Sequence, residues 1–153
     1  MQNLQNASDV FALAAQFEEL AVNLYVNLAQ VSNAPDARRV FAQLAREEAV
    51  HRGFFSRLGA ADGRRTSAVD PDAALAMMRT HILPDRSVVN ATALSGNQAK
   101  ALQMALQMEQ NAVVFYRDMA AAAPARAADI ATIIHEEHRH AQLISDMLTV
   151  RGT

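Results

Sequence analysis

Two segments of the chain, Glu47-Glu48-Ala49-Val50-His51 and Glu136-Glu137-His138-Arg139-His140, each contain Glu-x-x-His. Each follows a segment with one in-phase glutamate, Glu18 or Glu109. On a helix, residues three apart share a face, so the glutamate and the histidine of each pair can reach one point. Four carboxylates and two imidazoles at these spacings describe a two-metal site inside a helical bundle. Oxygen-rich ligation with one imidazole per metal suits iron or manganese and leaves zinc open. Two metals bridged by carboxylates can bind oxygen or peroxide between them and share its reduction.

The electrostatics point the same way. Ionised carboxylates are costly in an apolar interior unless they are paired or metal-bound. No lysine or arginine lies in phase with these glutamates. Two divalent cations would balance the four negative charges and leave the histidines as neutral nitrogen ligands.

The elements that must position these side chains follow from hydrophobic periodicity. One apolar stripe reads Phe11, Ala14, Glu18, Ala21, Tyr25, Leu28, and the next reads Phe41, Leu44, Glu48, His51, Phe55, Leu58. A third reads Leu102, Ala105, Glu109, Ala112, Tyr116, Met119, and a fourth Ile130, Ile133, Glu137, His140, Ile144, Met147. The spacing is that of one α-helical face, and the glutamate occupies the same place in every stripe. The intervals from Glu18 to Glu109, Glu48 to Glu137 and His51 to His140 are nearly equal, so the two halves form an internal repeat with pseudo-twofold symmetry.

Punctuation divides the chain into four long helices. Ser8 or Asp9 is placed to cap the first, which fades near Ser32-Asn33-Ala34-Pro35. The second starts near Asp36 and runs to about Leu58-Gly59, and Pro124 separates the third from the fourth, which reaches about Val150, with Gly152 near its end. Short connections make two antiparallel hairpins. The stretch from Ala60 to Gln98 is a long crossover in which Asp70-Pro71 opens a short helix over about Asp72 to Ile82, ahead of Leu83-Pro84. Two hairpins joined by a long crossover is the ferritin-like connection. The fold class expected is therefore all-α, an antiparallel four-helix bundle forming a single domain over residues 1–153.

Composition narrows the function classes. Aromatics are 5% of residues while alanine, leucine, methionine, glutamine and glutamate abound, which favours helices over sheet. A formal net charge of −2 argues against a nucleic-acid footprint. The absence of cysteine excludes disulfides and a cysteine-ligated iron site within this chain. The N-terminal Met1-Gln2-Asn3-Leu4-Gln5-Asn6 has no secretory pattern, and no apolar run approaches the roughly 20 residues needed to span a bilayer. A cytoplasmic location without membrane or nucleic-acid partners is the expectation.

With Glu18 and Tyr25, Glu48-x-x-His51, Glu109 with Phe115-Tyr116, and Glu137-x-x-His140 in place, the chain resembles the rubrerythrin and ferritin-like superfamily, including the bacterioferritins. The resemblance covers about residues 8–58 and 98–150. It implies that Glu18, Glu48, His51, Glu109, Glu137 and His140 are metal-ligating and catalytic. Glu48 and Glu137 would bridge, Glu18 and Glu109 would be terminal, and the histidines would complete the two metals. Family members reduce hydrogen peroxide, oxidise iron(II) or activate oxygen. Rubrerythrins usually carry a C-terminal rubredoxin domain, which this sequence lacks, so a separate electron-donor protein is expected. Their third helix often has an extra glutamate one turn from the main ligand; here the neighbours are Leu106, Gln107, Gln110 and Ala112, and no redox-linked ligand switch is expected. Ala49 stands where bacterioferritins place a haem-ligating methionine, so no haem is expected, and a fifth, cage-building helix is not seen.

The implied function is a two-iron oxidoreductase that reduces hydrogen peroxide or oxygen with an external donor, as a homo-oligomer and most simply a dimer. Iron storage with ferroxidase activity and manganese catalase are the alternatives. Beyond the six ligands, Tyr25 and Tyr116 are expected in the core with hydroxyls bonded to ligand carboxylates. Glu47, Glu136 and Glu19 are expected on the surface or in surface ion pairs, with support of the neighbouring ligands as the alternative, and His135 and His138 on the surface. His81 lies in the crossover, where an access route is one reading. The methionines Met77, Met78, Met104, Met108, Met119 and Met147 read as core or interface filler. Arg64-Arg65 is too short a basic pair for a nucleic-acid site.

Overall fold

Each of the four stripes becomes the buried face of a long helix. The computed structural model describes residues 9–62 and 70–151. Within them α1 spans Asp9–Val31, α2 Pro35–Asp62, α3 Pro71–Thr80, α4 Arg86–Leu94, α5 Gln98–Ala122 and α6 Ala127–Arg151, with no strand among the described residues. Every position of the four stripes is buried except Met147, which is half-buried. The four long helices hold 23, 28, 25 and 25 residues, which at about 1.5 Å per residue makes rods of roughly 35–42 Å. None of the described helices is long and apolar enough to cross a membrane. Ser8, Arg64-Arg65, Gly152 and the N-terminal hexapeptide lie outside the described residues.

The hairpin turns are set by local chemistry. Pro35 opens α2, where its missing N–H costs nothing. Arg38 Nε donates to the Ser32 carbonyl at 2.5 Å and closes the α1–α2 turn. Between α5 and α6, Pro124 starts a single 3₁₀ turn, Pro124–Arg126, that redirects the chain. The pairs α1–α2 and α5–α6 pack along their lengths, and α1 also packs on α5.

The crossover holds two helices where the sequence reading expected one. Asp70 caps α3 by accepting from the Ala73 N–H at 2.8 Å, and its own N–H ties the segment to the Ala122 carbonyl at 3.0 Å. After Pro84, Asp85 accepts from the N–H groups of Ser87 and Val88 and starts α4. Val89 and Ala93 of this helix are buried, and α4 packs on α1 and α5. Gly96, at φ +80°, takes the left-handed turn between α4 and α5 that a residue with a Cβ disfavours. Asn97 then caps α5 by accepting from Lys100 N–H.

Leu44 is fully buried beneath the site, so Leu44→Ala is expected to lower stability by about 2–5 kcal/mol through lost burial and the cavity left behind. Asp85→Ala removes only an exposed cap and is expected to cost clearly less. Urea denaturation of the metal-free protein checks the Leu44→Ala value and the order of the two.

Candidate two-metal centre

The four helices project Glu18, Glu48, His51, Glu109, Glu137 and His140 into one interior cluster, each 0–3% exposed. Two overlapping groups of ligand atoms form there. One contains Glu18, Glu48, His51 and Glu137; the other contains Glu48, Glu109, Glu137 and His140. Within each group the ligand atoms lie within 4.8 Å of one another. Glu48 and Glu137 belong to both groups, while each remaining glutamate and histidine belongs to one.

Contacts in the cluster come in crossed pairs that follow the sequence repeat. His51 Nδ1 lies 2.7 Å from Glu137 Oε1, and His140 Nδ1 lies 2.8 Å from Glu48 Oε1. The Tyr25 hydroxyl on α1 donates to Glu109 on α5, and the Tyr116 hydroxyl on α5 donates to Glu18 on α1. The two imidazoles face each other with ring centroids 5.7 Å apart. Both tyrosines are fully buried, as expected for core residues bonded to these carboxylates.

Glu47 and Glu136 are part-exposed, and Glu47 pairs with Arg139, as the surface reading expects, but each also bonds a histidine of the cluster. Glu136 bonds His51 Nε2, and Glu47 bonds His140 Nε2 at 2.7 Å, each across the gap between α2 and α6. A carboxylate accepting at Nε2–H holds that proton and leaves Nδ1 as the nitrogen that faces the cluster. Arg139 also donates to Glu47. One position before each ligand glutamate, these side chains point about 100° away from the stripe, and on these helices that direction reaches the facing helix at the edge of solvent. The doubled glutamate in both halves of the repeat was the available signal. Glu19 does form a half-exposed pair with Arg52, and His135 and His138 are exposed, His138 accepting from Arg117 at 3.1 Å.

Do these residues fit metal ions? Glu48 Oε1, Glu137 Oε1 and His140 Nδ1 are buried without a hydrogen-bond partner. Two of these atoms sit 2.8 Å apart, close enough to pair yet not aligned to do so. Buried ligand atoms that converge without bonding one another suit a shared cation. The donor set of four carboxylates and two imidazoles, with no sulfur, is that of a hard or borderline divalent metal.

The protonation pattern agrees. Burial, then the charges of Glu137 and Glu48, pushes Glu18 well above the usual carboxylate range. Burial, then Glu48 and Glu137, does the same to Glu109. Burial also acts upward on Glu48 and Glu137, but the close approach of the His140 and His51 imidazoles outweighs it and holds both low. Burial opposes charge on His51, yet Glu137 and Glu48 raise it to about 10, and Glu109, Glu137 and Glu48 raise His140 likewise. Without metal, burial and mutual repulsion thus favour protons on Glu18 and Glu109, and the carboxylates favour them on the two imidazoles. Two divalent cations would balance four carboxylates and leave both imidazoles neutral. Metal loading exchanges cations for protons.

Residues 9–74 match the family model described as Rubrerythrin. The match takes in α1, α2 and the start of α3, with Glu18, Glu48 and His51. Comparisons with curated proteins and with solved structures gave no match. The resemblance to the rubrerythrin and ferritin-like superfamily thus rests on the family match over the first hairpin, and on the second hairpin repeating its ligand pattern.

Two outcomes follow from the geometry. Glu47→Gln and Glu136→Gln are each expected to weaken metal binding about 10–100-fold, the usual effect of removing a histidine's supporting carboxylate; metal titration at fixed pH measures it. The second concerns pH. A group whose pKa is raised on folding stabilises the fold below its unfolded value and loses that contribution as pH rises through its folded value. His51 goes from an ordinary 6.5 to about 10, so the metal-free protein should melt at progressively lower temperature from pH 6.5 to 10. A flat or rising Tm by calorimetry would contradict this.

Proposed function

We propose that this chain is a two-iron oxidoreductase of the rubrerythrin kind that reduces hydrogen peroxide and is restored by an external electron donor. The observation that carries the reading is the doubly shared pair Glu48 and Glu137 between two complete ligand groups, with buried ligand atoms gathered there that bond to nothing else. Glu18 and His51 would complete one metal position, Glu109 and His140 the other, with Glu48 and Glu137 common to both. Bound by these residues, two iron(II) ions would supply the two electrons needed to reduce the peroxide. The remaining roles fall to the chain itself.

Tyr25 and Tyr116 hold the terminal carboxylates in place from across the bundle. Burial, then the charges of Glu109 and Glu48 on Tyr25 and of Glu18 and Glu137 on Tyr116, keeps both phenols protonated well above their ordinary range. They act as donors to Glu109 and Glu18 and not as anions. Glu47 and Glu136 keep both imidazoles in the tautomer that presents Nδ1. The apolar residues of the four stripes keep bulk water from the cluster, so the carboxylates retain their full electrostatic weight.

The test is anaerobic loading with iron(II) followed by rapid mixing with peroxide. Wild-type protein is expected to oxidise with close to one peroxide per pair of irons. Glu48→Ala and Glu137→Ala are each expected to lose about 100-fold or more in turnover, a barrier increase of about 2.7 kcal/mol. Unchanged turnover in both variants would refute the proposal. Uptake of many irons per chain would assign the cluster to iron storage with ferroxidase activity, and disproportionation without a reductant to a manganese catalase.

A further inference from the structure

A pocket of about 360 Å³ lies where the end of α3 and the Ile82-Leu83 segment cross α1 and α5. Its apolar side is built by Phe17, Ile82, Val114 and Phe115, and its polar side by Thr80, whose hydroxyl is taken up by the Ala76 carbonyl, His81 and Asn111. Among the described residues no lysine, arginine, aspartate or glutamate lines it. The volume is at the small end of the roughly 300–1,000 Å³ range of small-molecule sites, room for one ring or two fused rings. An uncharged lining disfavours nucleotides, phosphates, acids and amines, each of which would leave a charge without a partner.

The polar groups are already oriented. His81 Nε2 bonds Asp118 Oδ2 at 2.7 Å. With Asp118 accepting the Nε2 proton, Nδ1 is the hydrogen-bond acceptor of the neutral ring and can take a proton from a ligand hydroxyl. Asn111 Oδ1 accepts from Gln107 at 2.9 Å, which leaves the Asn111 amide to donate. The pocket therefore offers an acceptor and a donor beside aromatic surface. It also adjoins the cluster through packed rings. His81 lies 4.9 Å from Phe115 between centroids, Phe115 lies 5.5 Å from Tyr116, and Tyr116 bonds Glu18.

We propose that this pocket binds a small neutral hydroquinone, with His81 accepting the proton of a ring hydroxyl and Asp118 positioning His81. The assignment rests on the peroxide-reduction reading and names the chemical class of its donor. The hydroquinone gives up two electrons and two protons and leaves as the quinone. Hydrogen peroxide takes up two electrons and two protons and leaves as two waters, so the sum is hydroquinone plus peroxide to quinone plus two waters. Phe115 and Tyr116 bridge the space between the donor and Glu18.

Binding is tested on metal-free, full-length protein with 1,4-naphthohydroquinone under argon, by equilibrium dialysis and by the NMR shifts of the His81 ring. Saturable binding is expected, with the His81 signals moving. Val114→Trp fills the pocket at a half-exposed position away from the cluster and is expected to weaken binding at least about tenfold. His81→Gln should weaken it by about tenfold, the loss of one hydrogen bond to a base. Asp118→Asn should reduce the rate at which the hydroquinone re-reduces the oxidised, iron-loaded protein while leaving dithionite reduction unchanged. No saturable binding, or equal binding by wild type and Val114→Trp, would overturn the assignment. Binding that is blocked as expected, together with failure of iron(II) oxidation by peroxide, would instead overturn the function proposed for the cluster and leave the pocket assigned.

Discussion

Four carboxylates buried in an apolar helical bundle are the constraint on which the rest of this structure depends. Left ionised and alone, they would cost more than a domain of this size has in net stability. The chain contains the cost by keeping lysine and arginine off the inner stripes and placing two histidines among the glutamates. In the metal-free state protons make up the balance, on Glu18, Glu109, His51 and His140. In the loaded state two divalent cations would do the same.

Crossed contacts convert two hairpins into one site. Tyr25 reaches Glu109 and Tyr116 reaches Glu18, so each hairpin orients a carboxylate of the other. Glu47 and Glu136 repeat the exchange for the histidines. Backbone packing joins α1 to α2 and α5 to α6, whereas α2 and α6 meet across the cluster through these side chains. Disrupting one crossed pair would thus loosen a ligand on the opposite hairpin, and the site and the bundle hold together through the same bonds.

Periodicity made the bundle and the six clustered side chains legible before any coordinates. A glutamate at the same place in four apolar stripes fixes which face is inward, because an α-helix allows only one face at that spacing. Tyr25 and Tyr116 were legible for the same reason, being on the stripes. Glu47 and Glu136 were not, since they lie off the stripe and their role depends on which helix stands opposite. The second crossover helix was hidden because Leu83-Pro84 reads as an ending, while Asp85 restarts the chain within two residues through its cap. The pocket at His81 is assembled from α1, the end of α3 and α5, and no local pattern announces it.

Crystals grown after anaerobic loading with iron(II), with diffraction recorded on both sides of the iron absorption edge, would test the central claim most directly. The account predicts two anomalous peaks inside the bundle, both against Glu48 and Glu137, one also against Glu18 and His51 and the other against Glu109 and His140. A single peak, or iron bound only on the outer surface with the interior cluster still closed on its own protons, would contradict it.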